Sequence, residues 1–345
     1  MMMMGMPPNK SGMRNSSIEL LRIISMLMII SMHVLGAHFM EPTKLADREF
    51  VLFINSFCNA GVTIFVLISG FYGIRFKMDR LMYMANQTWF YSLLLFGVGF
   101  LLYHRFLRVD LIRTIFPIVT NKYWFITSYI ILFVASPHLN TCLDNMTQKT
   151  YAAFLAFMLF IFVVAPTLLK FEITCDGGKG PINMIVVYMT GYYFKRFDFP
   201  ALIKKYAIVI LILSFLVVFI ASSWQSFGNP WMSRGLFRDN SLFILLIAVS
   251  LFYLFSKMSF YSAMVNEVAK LTLGVYLVQE TLKLWIPKFT DNIFLYWAGS
   301  LFGLYLISLL VEFLKVRLLD GWFRRLSSWE CMMIGKVLKL EDDVK

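Results

Sequence analysis

Residues 18–40 read IELLRIISMLMIISMHVLGAHFM. A run of this length and character crosses a bilayer, because about 20 apolar residues rising 1.5 Å each cover the hydrocarbon core. It is too long for the apolar region of a secretory signal and has no small-residue cleavage site, so it reads as a retained first span. The rest of the chain has the same character. Of its 345 residues 59% are hydrophobic, 17% aromatic and only 15% charged, and the mean hydropathy is +0.71. A soluble domain carries about 45–50% apolar and about 25% charged residues. A surface this apolar has to be buried in lipid. The shortage of charge excludes intrinsic disorder, and 19 Gly and 10 Pro exclude a collagen-like composition.

Working outward from the first run, ten stretches qualify as spans: 18–40, 51–74, 82–102, 123–140, 151–169, 182–194, 206–222, 239–256, 271–286 and 293–315. The sixth and ninth are short or broken by Asn183 and by Gln279-Glu280. The fold class is therefore all-α, a polytopic integral membrane protein of about ten transmembrane helices. It divides into an N-terminal leader (1–17), a membrane domain (18–315) and a C-terminal tail (316–345). An even number of spans puts both termini on one side. Lys and Arg outside the spans number 19 on that side and 12 on the other, so the termini are expected in the cytoplasm. The formal charge of +12 thus contains an orienting bias, and nucleic-acid binding is not needed to explain it. The stretch from Leu111 to Val119 is apolar but too short to span, and either re-enters the membrane or lies on its surface. Cys58, Cys142, Cys175 and Cys331 are scattered, with no His at metal-ligand spacing, so no metal site or disulfide framework is indicated.

Arg22 stands inside the first span, four residues from its start. An arginine there is expensive, and it marks either a functional site or a side chain snorkelling to the headgroups. Eleven residues on stands His33. That is nearly three helical turns, which places Arg22, Met26, Ile29 and His33 on one stripe with about 16 Å between its ends. An imidazole deep in a membrane needs polar protein or water beside it, and it has the chemistry of a general base. A guanidinium at the membrane mouth suits phosphate. A donor with phosphates at one end and a reactive carbonyl on a long thin arm, the shape of acyl-coenzyme A, could reach from one to the other.

The run Ile18-Glu19-Leu20-Leu21-Arg22-Ile23-Ile24-Ser25-Met26-Leu27-Met28 ending at His33 resembles the first helix of the acyltransferase 3 family of membrane acyltransferases, including its Arg-x10-His pattern. Phe65-Val66-Leu67-Ile68-Ser69-Gly70-Phe71 is similar to the family's Ser-Gly-Phe block. Tyr123-Trp124-Phe125-Ile126-Thr127-Ser128-Tyr129-Ile130, running on to Ser136-Pro137-His138-Leu139-Asn140, and Leu273-Gly274-Val275-Tyr276-Leu277-Val278-Gln279-Glu280 are two further matches. Together with the ten-span layout they extend the likeness over nearly the whole chain.

The resemblance implies transfer of an acyl group, commonly acetyl, from cytoplasmic acyl-coenzyme A to a carbohydrate or lipid-linked glycan at the cell membrane. His33 would be the catalytic histidine and Arg22 its partner. Arg22 would also bind the donor, together with Arg75, Lys77 and Arg80. Those three basic residues stand where many relatives carry an Arg-x-x-Arg pair. Ser69, Trp124 and Glu280 are substrate or supporting candidates. Many relatives have His where Gln279 stands, so a role at that site rests on Glu280 or is lost. Direct transfer and an acyl-histidine step both stay open, as do the acyl chain, the acceptor sugar and a homo-oligomeric state. Two rival readings are a membrane transporter in which Arg22, His33 and Glu280 relay protons or anions, and a subunit that passes the acyl group on. No internal repeat supports transport, and no GxSxG, HExxH or Walker loop supports other chemistry.

Overall fold

A computed structural model describes residues 15–38, 44–103, 108–169, 171–225 and 236–338. The leader up to residue 14, with Lys10 and Arg14, lies outside these ranges, as do Arg105, Lys170, Arg234 and the last seven residues. Among the described residues every regular element is helical. The helices are α1 Ser17–His38, α2 Leu45–Cys58, α3 Ala60–Tyr72, α4 Met78–Tyr103, α5 Arg108–Ile115, α6 Trp124–Asp144, α7 Gln148–Leu159, α8 Ala165–Leu169, α9 Pro181–Phe197, α10 Ala201–Gln225, α11 Leu242–Lys257, α12 Ala263–Lys270, α13 Thr272–Leu282 and α14 Ile293–Leu338. Seven described segments are long and apolar enough to cross a membrane: Ser17–Gly36, Leu45–Tyr72, Met78–Leu102, Trp124–Asp144, Gln148–Leu169, Ala201–Trp224 and Ile293–Lys336. The chain is a multi-pass membrane protein.

The difference from the ten expected spans lies in three places. Expected spans 182–194 and 239–256 are the 17-residue α9 and the 16-residue α11. Expected span 271–286 holds only the 11-residue α13, which follows α12 across Leu271. All three are packed inside the bundle, where protein neighbours replace the lipid that long apolar runs require. At 293–315 the difference has the opposite sign. The helix continues unbroken through the expected tail to Leu338, because hydropathy falls after Lys315 while helix-forming residues carry on.

Packing at the centre depends on two glycines. A Cβ on Gly70 of α3 would lie 2.1 Å from the Tyr188 carbonyl oxygen of α9, and one on Gly191 would lie 2.2 Å from that of Leu67. The backbones of α3 and α9 therefore touch directly, as small residues permit in membrane bundles. This accounts physically for the Gly of the Ser-Gly-Phe block. Beyond Gly73, at φ 74°, the chain is held by Ile74, whose N–H donates to the Tyr188 hydroxyl (3.0 Å) and whose carbonyl accepts from Asn140 (2.9 Å).

The bundle has two faces. One, here the near face, carries the start of α1, where Ser16 Oγ donates to Asn266 Oδ1 (3.0 Å) and the Ser16 amide to the Phe260 carbonyl (2.8 Å). The far face carries the start of α6 and the turns before α9 and α11, where the Asp239 amide meets the Gly177 carbonyl (3.1 Å) and Ser128 Oγ that of Lys179 (2.9 Å). The segment 108–122 folds back from this side against α4. Thr114 accepts from Ser92 Oγ in the middle of α4 (2.9 Å), and Lys122 Nζ reaches both Ser92 (2.9 Å) and Thr114 (3.1 Å).

Candidate active site

A cavity of about 290 Å³ opens at the near face among α1, α3, α4, α6, α13 and α14. Its mouth is lined by Arg22, Arg80, Lys270 and Arg324, with the acids Glu19 and Asp79. Three of these cations are ion-paired, Arg22 with Glu19, Lys270 with Glu267 and Arg324 with Asp320, and their remaining N–H groups suit the mouth to an anion. Arg22 is 6% exposed and donates to both oxygens of Glu19 at 3.3 Å, one turn back on the same helix. It is thus buried and paired rather than snorkelling. Arg80 Nε is buried without a hydrogen-bond partner. Buried donors are nearly always satisfied, so this one is suited to a ligand in the cavity. Arg75 and Lys77 are exposed and do not line the cavity.

Deeper, the walls become apolar. Met26 and Ile29 continue the α1 stripe from Arg22, and Ser69 contributes a hydroxyl that donates to Phe65 O (2.9 Å) and meets Tyr129 OH (3.2 Å). The cavity stops at an aromatic layer. Phe125 lies 5.4 Å from Tyr276, 5.7 Å from Tyr129 and 6.5 Å from Phe65, ring centre to ring centre. His33 is not among the lining residues; it lies one helical turn past Ile29, about 6 Å of rise further toward the far face.

At that level α13 meets α1. His33 Nδ1 lies 3.0 Å from Gln279 Oε1 and 3.4 Å from Glu280 Oε2. Gln279 Nε2 donates to Glu280 (3.3 Å), which turns the amide oxygen toward the imidazole, and Lys283 Nζ holds the other Glu280 oxygen (2.6 Å). With oxygens on both sides of Nδ1, the neutral ring that fits carries its proton there and keeps the Nε2 lone pair. That tautomer leaves Nε2 able to accept a proton, and a carboxylate beside the ring would steady an imidazolium. Trp124 lies near the far face under Lys179 Nζ (5.7 Å from the ring), outside the cavity.

The structure therefore brings Arg22, Arg80 and Ser69 to one cavity and His33 and Glu280 to a cluster just beyond it. Sequence reasoning missed Glu19, Lys270 and Arg324. Glu19, at helical spacing from Arg22, had a legible signal; the other two meet the cavity only through tertiary packing.

The chain is thus a helical membrane bundle with a cation-lined cavity and, beyond it, a histidine beside a carboxylate. The chain matches the model of the acyltransferase 3 family, described as an acyltransferase domain, over residues 15–314, and it belongs to that family. It is an acyltransferase, which decides between the enzyme and the transport alternative. No curated protein and no solved structure matches the chain.

Proposed function

We propose that the protein is an acyl-coenzyme A dependent O-acyltransferase of the cytoplasmic membrane, moving a short acyl group, acetyl, to a hydroxyl of a cell-surface polysaccharide or its lipid-linked precursor. The observation that carries this reading is the basic cavity that ends one helical turn from His33. Phosphates of the donor sit against Arg22 and Arg80, and the apolar wall along Met26 and Ile29 takes the thin arm. The thioester then passes Phe125 to reach the imidazole. His33 Nε2 takes the proton of the acceptor hydroxyl, the oxygen attacks the thioester carbonyl, and the carbon–sulfur bond breaks. The imidazolium returns its proton to the departing thiolate. Glu280 and Gln279 keep the ring oriented throughout.

In this reading all ten segments cross the bilayer, with α12 and α13 acting as one broken span, and both termini are cytoplasmic. The 19 to 12 basic bias supports that orientation, and so does a mouth of cations on the face where acyl-coenzyme A is found. The test is transfer of label from acetyl-coenzyme A to a membrane glycan extract by the purified protein. Replacing His33 by Ala is expected to lower the rate by about 10²–10⁴, the usual contribution of a general base. Undiminished transfer by that variant would sink the assignment.

A further inference from the structure

The family match ends at residue 314, yet α14 runs on to Leu338 as the same helix. This extension does not hang free. Asp320 accepts from the Tyr83 hydroxyl of α4 through Oδ1 (2.5 Å) and from Arg324 Nε through Oδ2 (2.6 Å). Asn86 of α4 donates to Glu330 Oε2 (2.6 Å) and to Ser327 Oγ (3.3 Å). Lys315, 4% exposed, donates to the Tyr83 hydroxyl (3.0 Å) and lies 3.6 Å from the buried Glu312, which accepts from Tyr91 (2.5 Å) and Gln87 (3.0 Å). The extension is thus clamped along α4 by polar contacts from Glu312 to Glu330.

Clamped in this way, it presents Arg324, Ser327 and Ser328 to the cavity mouth, on the side where Arg80 leaves a buried Nε unpartnered. Asp320 holds Arg324 by Nε, and the guanidinium lies 5.7 Å from the centre of the Tyr83 ring. An arginine oriented by a carboxylate is suited to gripping phosphate. We propose that the extension beyond the family domain is one wall of the donor site, and that Arg324, with Arg80 of the neighbouring α4, binds a phosphate group of the nucleotide end of the donor. The proposal rests on the acyl-coenzyme A reading above.

The test compares Arg324→Ala, Arg324→Lys and Arg325→Ala with wild type in the full chain. Arg325 is the exposed neighbour on the same helix and does not line the cavity. With acetyl-coenzyme A, Arg324→Ala should raise KM about ten- to a hundredfold at unchanged kcat, the effect of removing a charge-assisted hydrogen bond made equally in ground and transition states. Arg324→Lys should recover part of the loss, and Arg325→Ala should behave as wild type. With acetyl-pantetheine, which has no nucleotide phosphates, the difference between Arg324→Ala and wild type should vanish. An unchanged KM in Arg324→Ala, or the same rise with acetyl-pantetheine, overturns the proposal and leaves the donor reading standing. Failure of wild type to turn over acetyl-coenzyme A overturns both.

Discussion

His33 and Gln279 meet across α1 and α13 with Nδ1 and Oε1 3.0 Å apart. The position that many relatives give to histidine therefore still serves the imidazole. Gln279 supplies an acceptor, and Glu280 behind it supplies the charge at 3.4 Å from the same nitrogen. Among the described residues the cluster thus holds one imidazole with two acceptor side chains beside it.

From this arrangement Glu280→Gln is expected to lower kcat about ten- to a hundredfold with little change in KM, because the amide keeps the shape but not the charge that steadies the imidazolium. Gln279→Leu, which removes the acceptor and leaves the charge, should cost less. Steady-state rates of acetyl transfer measure both, and equal rates in all three proteins would refute the orienting role.

Arg22 and Glu19 are buried together at 3.3 Å. Removing one partner of a buried pair costs about 3 kcal/mol or more. Arg22→Ala should therefore lower the melting temperature in detergent as well as weaken donor binding. The double replacement Glu19→Gln with Arg22→Gln should regain stability without regaining the donor. Thermal unfolding and KM, measured on the same preparations, separate the two effects.

Gly70→Ala and Gly191→Ala should each destabilise the bundle by at least about 1–3 kcal/mol, since the added carbon meets backbone oxygen at 2.1 and 2.2 Å and two helices have to part. Gly97→Ala in α4 meets nothing within 4 Å and should be neutral or stabilising by up to about 1 kcal/mol. Yield of folded protein and melting temperature should rank Gly97→Ala well above the other two.

Burial pushes the Asp239 carboxyl, in the turn before α11, from 3.8 up to about 7; nearby Lys179 opposes the shift and Asp176 adds to it. The folded protein then holds a proton that the unfolded chain has released. This contribution is complete below about pH 4 and is lost as the pH rises through 7, at up to about 1.4 kcal/mol per pH unit. The melting temperature should fall across that window in wild type and flatten in Asp239→Asn. A wild-type profile as flat as that of the variant would show that Asp239 is charged in the fold.

Much of the fold is legible in the composition and in the apolar runs, because lipid imposes a simple rule on any long helix it surrounds. The rule weakens where protein replaces lipid. Neither the shortness of α9 and α11 nor the break at Leu271 can be weighed from hydropathy alone, and the helix past Lys315 looks like a tail in the sequence because charge ends a span without ending a helix. The packing of 108–122 against α4 rests on Ser92, Thr114 and Lys122, whose partnership is not written in their spacing.

For the site the division is similar. Helical periodicity by itself determined that Arg22, Met26, Ile29 and His33 share one stripe of α1, since neighbours on a helix follow from backbone geometry. Only the tertiary structure decided what faces that stripe. It set Glu280 and Gln279 behind His33, placed Arg80 and Arg324 at the mouth while leaving Arg75 and Lys77 outside, and closed the cavity with Phe125. Contacts between residues some 250 positions apart depend on how helices pack, and packing is settled by side-chain volume and backbone approach at points such as Gly70 and Gly191, which no local pattern in the chain encodes.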